Sequence, residues 1–177
     1  NRQLSDNPSV AAAANTYVRG FLHGDVVHSR PAIINYNRTG QPADRDIAVF
    51  YGSNDGIFHA VKGGQNDADG NELWGFVMPE FFDKLGRQYS AVPVINNANA
   101  TTAKPYFADG PLSTLLIDAN NDGRIDSATT GDHAYLYVSM RRGGRTIYAL
   151  DVTNPAAPTV LWKVDNGTTG MSELGQT

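Results

Sequence analysis

The feature that most restricts this chain is an internal repeat. Asp46–Lys62 reads DIAVFYGSNDGIFHAVK and is followed by Asn71–Val77, NELWGFV. His133–Asp151 reads HAYLYVSMRRGGRTIYALD and is followed by Thr159–Asp165, TVLWKVD. Aligned on their cores, Ile47 falls on Ala134, Phe58 on Ile147, His59-Ala60-Val61 on Tyr148-Ala149-Leu150, and Leu73-Trp74 on Leu161-Trp162. Each copy is preceded by an apolar run after a proline, Pro31-AIIN and Pro111-LSTLLID. Each unit therefore holds four predicted strands: Ala32–Asn35, Ile47–Gly52, Ile57–Val61 and Leu73–Val77 in the first, Ser113–Asp118, Ala134–Met140, Thr146–Asp151 and Val160–Val164 in the second. Four strands per repeat is the pattern of a β-propeller blade. Alternation agrees, with Ala134, Leu136, Val138 and Met140 on one face and Tyr135, Tyr137 and Ser139 on the other. The two Trp residues sit on the outermost strand of each unit, where inter-blade packing is the expected role.

The fold class is thus all-β, a partial β-propeller of two four-stranded antiparallel blades with short helices at the N-terminus and between the blades. The expected divisions are an N-terminal helical segment (1–25), a first blade (26–78), a helix and loop connection (79–107), a second blade (108–166) and the start of a further connection (167–177). Pro8–Leu22 is Ala-rich and reads as a helix capped near Asp6-Asn7. Met78–Gln88 reads as a short helix with Pro79 in its first turn and Phe81, Phe82 and Leu85 in one stripe. Asn96–Ala103 reads as a mobile polar loop. Propellers close with about four to eight blades, so two blades leave faces and edges bare. That, and a start at Asn1 without Met, suggests a piece of something longer.

Composition narrows the function. Charged residues make up 18% and the formal net charge is -4, without a basic run, which argues against a nucleic-acid groove. There are no cysteines, so disulfides, thiol catalysis and Cys-type zinc sites are excluded. No apolar run approaches a transmembrane span. His23, His28, His59 and His133 show no metal-pair spacing, and Ser29 and Ser53 lack a nucleophile-elbow context. His28 reads as a hydrogen-bonded structural residue.

One motif carries chemistry. Asp118-Ala-Asn120-Asn-Asp122-Gly123-Arg124-Ile125-Asp126 is D-x-N-x-D-G-x-x-D. Ca2+ is a hard cation that takes about six to eight oxygen ligands. Side-chain oxygens of Asp118, Asn120 and Asp122 converge when the chain coils about a point, and Gly123 permits the sharp turn. The carbonyl of Arg124 then points inward, and Asp126 closes the site directly or through water. Thr129 stands where an EF-hand has its Glu, so the loop is the shortened, strand-flanked kind, with Asp132 a candidate extra ligand. The alternative is a solvated Asx-rich turn. The first-blade connection Asn35-Tyr-Asn37-Arg-Thr39-Gly40 keeps the polar spacing and the Gly without the carboxylates, and is not expected to hold Ca2+. Gln65–Glu72, with Asp67 and Asp69, is a degenerate version expected to form a hairpin turn.

GDVVHSRP (24–31), FYGSNDGIFHAV (50–61), ELWGFVMPE (72–80), YFADG (106–110), the acidic loop, GRTIYALDVTNP (144–155) and VLWKV (160–164) together resemble the C-terminal propeller of the PilC/PilY family of type IV pilus tip-associated proteins and adhesins. The resemblance runs from about Gly20 to the end, and Asp118, Asn120, Asp122 and Asp126 match that family's calcium site. It implies a much longer parent with an adhesive N-terminal region and a propeller of about seven blades. It also implies an extracytoplasmic place at the pilus tip, outer-membrane associated in a Gram-negative bacterium. The implied partners are the remaining blades of the parent chain, the pilus machinery or minor pilins, and a host surface. Ca2+ occupancy is then tied to pilus extension against retraction, twitching motility and attachment, without enzyme activity. Two alternatives stay open: a pyrroloquinoline-quinone-type dehydrogenase propeller, and an adhesive domain that uses Ca2+ for stability alone.

Overall fold

The computed structural model describes residues 24–38, 46–64, 69–90 and 94–174; the expected N-terminal helix, Thr39-Gly40 and Gln65–Ala68 lie outside them. The described residues form two four-stranded antiparallel sheets in strand order β1-β2-β3-β4 and β5-β6-β7-β8. The first comprises β1 (Ala32–Asn35), β2 (Ile47–Gly52), β3 (Phe58–Lys62) and β4 (Glu72–Phe76). The second comprises β5 (Leu112–Ile117), β6 (His133–Ser139), β7 (Thr146–Asp151) and β8 (Thr159–Asp165). Strand bounds differ from the sequence reading by at most a residue, the usual scatter at strand ends.

The repeat is reproduced in the hydrogen-bond ladder. Ala60 pairs with Trp74, and the register slips between Ala60 and Val61. Ala149 pairs with Trp162, and the register slips between Ala149 and Leu150. A bulge at the same place in both units confirms the alignment of His59-Ala60-Val61 with Tyr148-Ala149-Leu150. Carrying that register inward, Phe50 opposes Ala60 and Tyr137 opposes Ala149, so Phe50 and Tyr137 are equivalent.

Equivalent residues have opposite fates, and this defines the stacking of the sheets. In β2 the buried face is Ala48, Phe50 and Gly52; in β6 it is Ala134, Leu136 and Val138. These are opposite faces of the repeat. The first sheet presents Ile34, Phe50, Phe58 and Ala60 to Leu136, Val138, Tyr148 and Leu150 of the second in one continuous core. Successive blades of a propeller meet in this way, front to back. Polar bonds close the seam: Tyr36 Oη donates to the Val152 carbonyl at 2.6 Å and Trp74 Nε1 to the Pro155 carbonyl at 2.8 Å. Phe76 and Tyr148 meet edge to face at 5.5 Å. Trp74 thus has the expected inter-blade role. Trp162 differs: it is 45% exposed, on a face with no neighbouring sheet among the described residues.

The connection between the sheets begins with a 3-10 turn, Pro79–Phe81, that runs into α1 (Phe82–Ser90). Phe81 is buried edge to face against Phe107, with ring centroids 5.2 Å apart, whereas Phe82 is exposed. The predicted Phe81-Phe82-Leu85 stripe is therefore corrected. The tighter winding of the 3-10 turn breaks the α-helical phase at Phe81, so Phe82 turns outward. Asn96–Thr102 folds into exposed turns bonded to themselves, as from Asn96 N to the Thr102 carbonyl at 2.9 Å. The segment before β5 lies close against both sheets: a Cβ on Gly52 would run into the Ala108 carbonyl, and one on Gly143 into that of Phe107. Only glycine admits such backbone approach. No described helix is long and apolar enough to cross a membrane.

Candidate metal centre

The acidic loop leaves the end of β5 and returns to β6, so its position is set by the strand pair Ile117–His133. The chain coils around the Asp118 carboxylate. One of its oxygens accepts the Gly123 N–H at 2.8 Å and the other the Asp122 N–H at 3.2 Å. Gly123 takes φ +77° and Asn121 φ +57°, the left-handed turns that Gly and Asn tolerate best. Asn120 Oδ1 also accepts the Asp122 N–H at 3.1 Å, and Asn120 Nδ2 donates to Asp122 Oδ2 at 3.2 Å. Asp122 Oδ1 accepts the Arg124 N–H at 2.9 Å, and Asp126 Oδ1 that of Ala128 at 2.9 Å.

Asp132 has a role that the spacing alone did not reveal. It is buried, and its two oxygens accept the N–H groups of Ala119 at 3.0 Å and Asp126 at 3.1 Å. It staples both ends of the loop from inside, a role additional to the candidate extra ligand that the sequence suggested. Two further contacts reach the other blade. Ile125, the loop's buried residue, donates its N–H to the Tyr36 carbonyl at 2.9 Å. Asn37 Nδ2 donates to the Gly123 carbonyl at 3.1 Å.

The donors fit a hard cation in type and order: side-chain oxygens of Asp118, Asn120, Asp122 and Asp126, and the Arg124 carbonyl. The tight turn about the Asp118 carboxylate is formed. The carboxylates themselves are satisfied by backbone N–H groups, and among the described residues no three acidic or histidine side chains are drawn into a metal cage.

The other acidic and histidine residues fall into structural roles. Described residues of the Gln65–Glu72 cluster close a hairpin: Gly70 N–H bonds the Lys62 carbonyl at 2.7 Å, and Asp69 pairs with Lys62 Nζ at 3.2 Å. His28 Nδ1 lies 2.8 Å from the buried Asp109 carboxylate. His59 is buried, with Nδ1 2.7 Å from Glu72 Oε1 and Nε2 3.0 Å from Ser53 Oγ and 3.2 Å from Asp55 Oδ2. Ser53, His59 and Glu72 have the spacing of a nucleophile, base and acid. However, Ser53 is 1% exposed and its hydroxyl bonds Asp55, so a substrate could not reach it. Burial pushes Asp55 up, but hydrogen bonds from His59, Ser53 and the N–H groups of Gly24 and Ile57 hold it well below the usual carboxylate range. Burial pushes His59 down, and Asp55 and Glu72 outweigh it, leaving the imidazole above its ordinary value.

Comparison with known proteins gives a consistent set of likenesses. The family model described as the PilY1 beta-propeller domain matches residues 7–174. The type IV pilus biogenesis factor PilY1 of Pseudomonas aeruginosa strain UCBPP-PA14 is 31% identical over 177 aligned residues, covering 90% of this chain and 14% of that protein. A PilY1 homolog of Xylella fastidiosa is 28% identical over 183 residues, covering 90% of this chain and 13% of that one. The crystal structure of the P. aeruginosa PilY1 C-terminal domain aligns at 27% identity over 71% of this chain and 20% of that chain, with a TM-score of 0.39. The chain spans 13–14% of the length of these two curated relatives.

Proposed function

The chain belongs to the PilY1 β-propeller family, and from that premise we propose that it is the Ca2+-binding part of a type IV pilus biogenesis factor's propeller. The observation that carries the proposal is the coil of Asp118–Asp126 about the Asp118 carboxylate, with Gly123 in the left-handed region. Asp118, Asn120, Asp122 and Asp126 would hold the ion with side-chain oxygens, and Arg124 with its carbonyl. The bound cation would supply the positive charge that lets these carboxylates converge.

The chain's own residues turn that charge into order. Asp132 ties the loop's ends, so a loop tightened at Asp122 and Asp126 stiffens the whole connection Asp118–Asp132. Loss of the ion relaxes it, and a partner in the pilus machinery, such as a minor pilin, reads the difference. In this reading the protein works outside the cytoplasm at the cell surface and supports pilus extension against retraction, twitching motility and attachment. It carries no catalytic step. Further blades of the parent chain cover the open sheet faces.

The test is a Ca2+ titration of the parent protein beside Asp122→Ala, followed by a motility assay of the same variant in the source bacterium. The expected outcome is loss of Ca2+ binding at this loop together with altered twitching. Binding lost with motility intact would reduce the ion to a stabilising role. Binding retained would remove the loop from the mechanism.

A further inference from the structure

The loop carrying the metal motif is built on β5 and β6, yet two of its backbone groups are held by the preceding blade. The Gly123 carbonyl accepts from Asn37 Nδ2 at 3.1 Å, and the Ile125 N–H donates to the Tyr36 carbonyl at 2.9 Å. These two groups flank Arg124, whose carbonyl is the motif's backbone ligand. The first blade thus grips the chain on either side of the ligand carbonyl and leaves that carbonyl unengaged by the grip. Ile125 is buried between the blades, and Tyr36, fully buried, bonds back across the seam to the Val152 carbonyl at 2.6 Å. Asn37 is itself preset, with φ +51° and its N–H bonded to Asn35 Oδ1 at 3.1 Å.

We infer that Asn37 is a positioning residue for the cation site, and that occupancy of the loop is coupled through Tyr36 and Asn37 to the seam between the two blades. The inference rests on the metal reading above and adds where its effect goes. A grip that holds Gly123 and Ile125 fixes the direction of the Arg124 carbonyl before the ion arrives, so less ordering is required on binding. Linkage makes the effect reciprocal: whatever the grip adds to Ca2+ affinity, Ca2+ adds to the grip. The ion's consequence is therefore mechanical. It tightens the joint between neighbouring blades, as well as the loop.

Asn37→Gly is the informative variant, because glycine keeps the positive φ without strain and removes only the side-chain bond. In the parent protein, Ca2+ affinity is measured by calorimetry, and amide exchange at Ile125 is followed with and without Ca2+. The expected result is an affinity about threefold to tenfold weaker in Asn37→Gly, the worth of one hydrogen bond. Ca2+ should also slow exchange at Ile125 in the wild type and do so less in the variant. Wild-type binding with unchanged affinity in Asn37→Gly would overturn the coupling and leave the metal reading intact. Failure of the wild type to bind Ca2+ would overturn both.

Discussion

At the scale of single residues, one side chain ties the first blade together through its hydrogen bonds. His59 stands between Asp55 and Glu72, stacks on Tyr51 at 5.1 Å, and joins β3 to the β2–β3 turn and to β4. Its raised pKa means that its contribution is complete below about pH 6.5, the value in an unfolded chain, and fades as pH rises through the higher folded value. Asp55 has the opposite sign: its depressed pKa contributes fully above about pH 4 and is lost as pH falls through the folded value. The pair stabilises most between about pH 4 and pH 6.5. Thermal melts across this range and up to pH 9 should show the wild type losing stability on the alkaline side. His59→Gln should be destabilised by about 2 kcal/mol at pH 6, through loss of charge-assisted hydrogen bonds, with a flatter alkaline profile. Parallel profiles for the two proteins would mean that the imidazole is neutral. Nothing in the sequence disclosed this role, because SNDGIFH reads equally well as an ordinary turn between strands. The carboxylate that completes the network, Glu72, is thirteen positions from His59 and is brought there only by β3–β4 pairing.

At the scale of elements, strands and their pairing were legible because a half-buried strand writes itself as alternation, and the repeat wrote the same pattern twice. The bulge beside Ala60 and Ala149 was not, since one strand's sequence does not show which residues oppose it across the ladder. The loop between β5 and β6 was legible as a tight turn about Gly123 and illegible in its support. Asp132 lies outside the nine-residue motif, and Tyr36 and Asn37 belong to another blade, so only the fold brings them to the site. Asp132→Ala removes two hydrogen bonds from a buried carboxylate to the backbone of Ala119 and Asp126. The expected cost is about 3 kcal/mol in chemical denaturation, with a weakened Ca2+ response although no proposed ligand has changed. Asp132→Asn keeps one acceptor and should fall between. Should Asp132→Ala melt like the wild type, the loop would be ordered by something other than this staple.

At the scale of the whole molecule, the two sheets form a repeating unit whose ends are complementary. The covered front of the first sheet carries Phe50 and Trp74; the equivalent front of the second carries Tyr137 and Trp162, with ring centroids 6.0 Å apart, and faces no other sheet among the described residues. On the opposite side, Ile33 is 66% exposed on the open back of the first sheet. Trp74 shows what such a front receives: a carbonyl from the turn between the third and fourth strands of the next blade, here Pro155. On the same geometry, a following blade in the parent protein would seat on Trp162, whose indole N–H would donate to the corresponding turn. Apolar patches of this kind otherwise promote association, and two unlike faces would join head to tail. Oxidative footprinting separates the two tryptophans. In the 177-residue chain Trp162 should oxidise several-fold faster than Trp74, in keeping with its exposure. In the parent protein both should be protected alike, and Trp162→Phe should cost about 1 kcal/mol there and almost nothing in the shorter chain. Rapid oxidation of Trp162 in the parent would show that its front remains open to solvent and that the next blade stacks elsewhere.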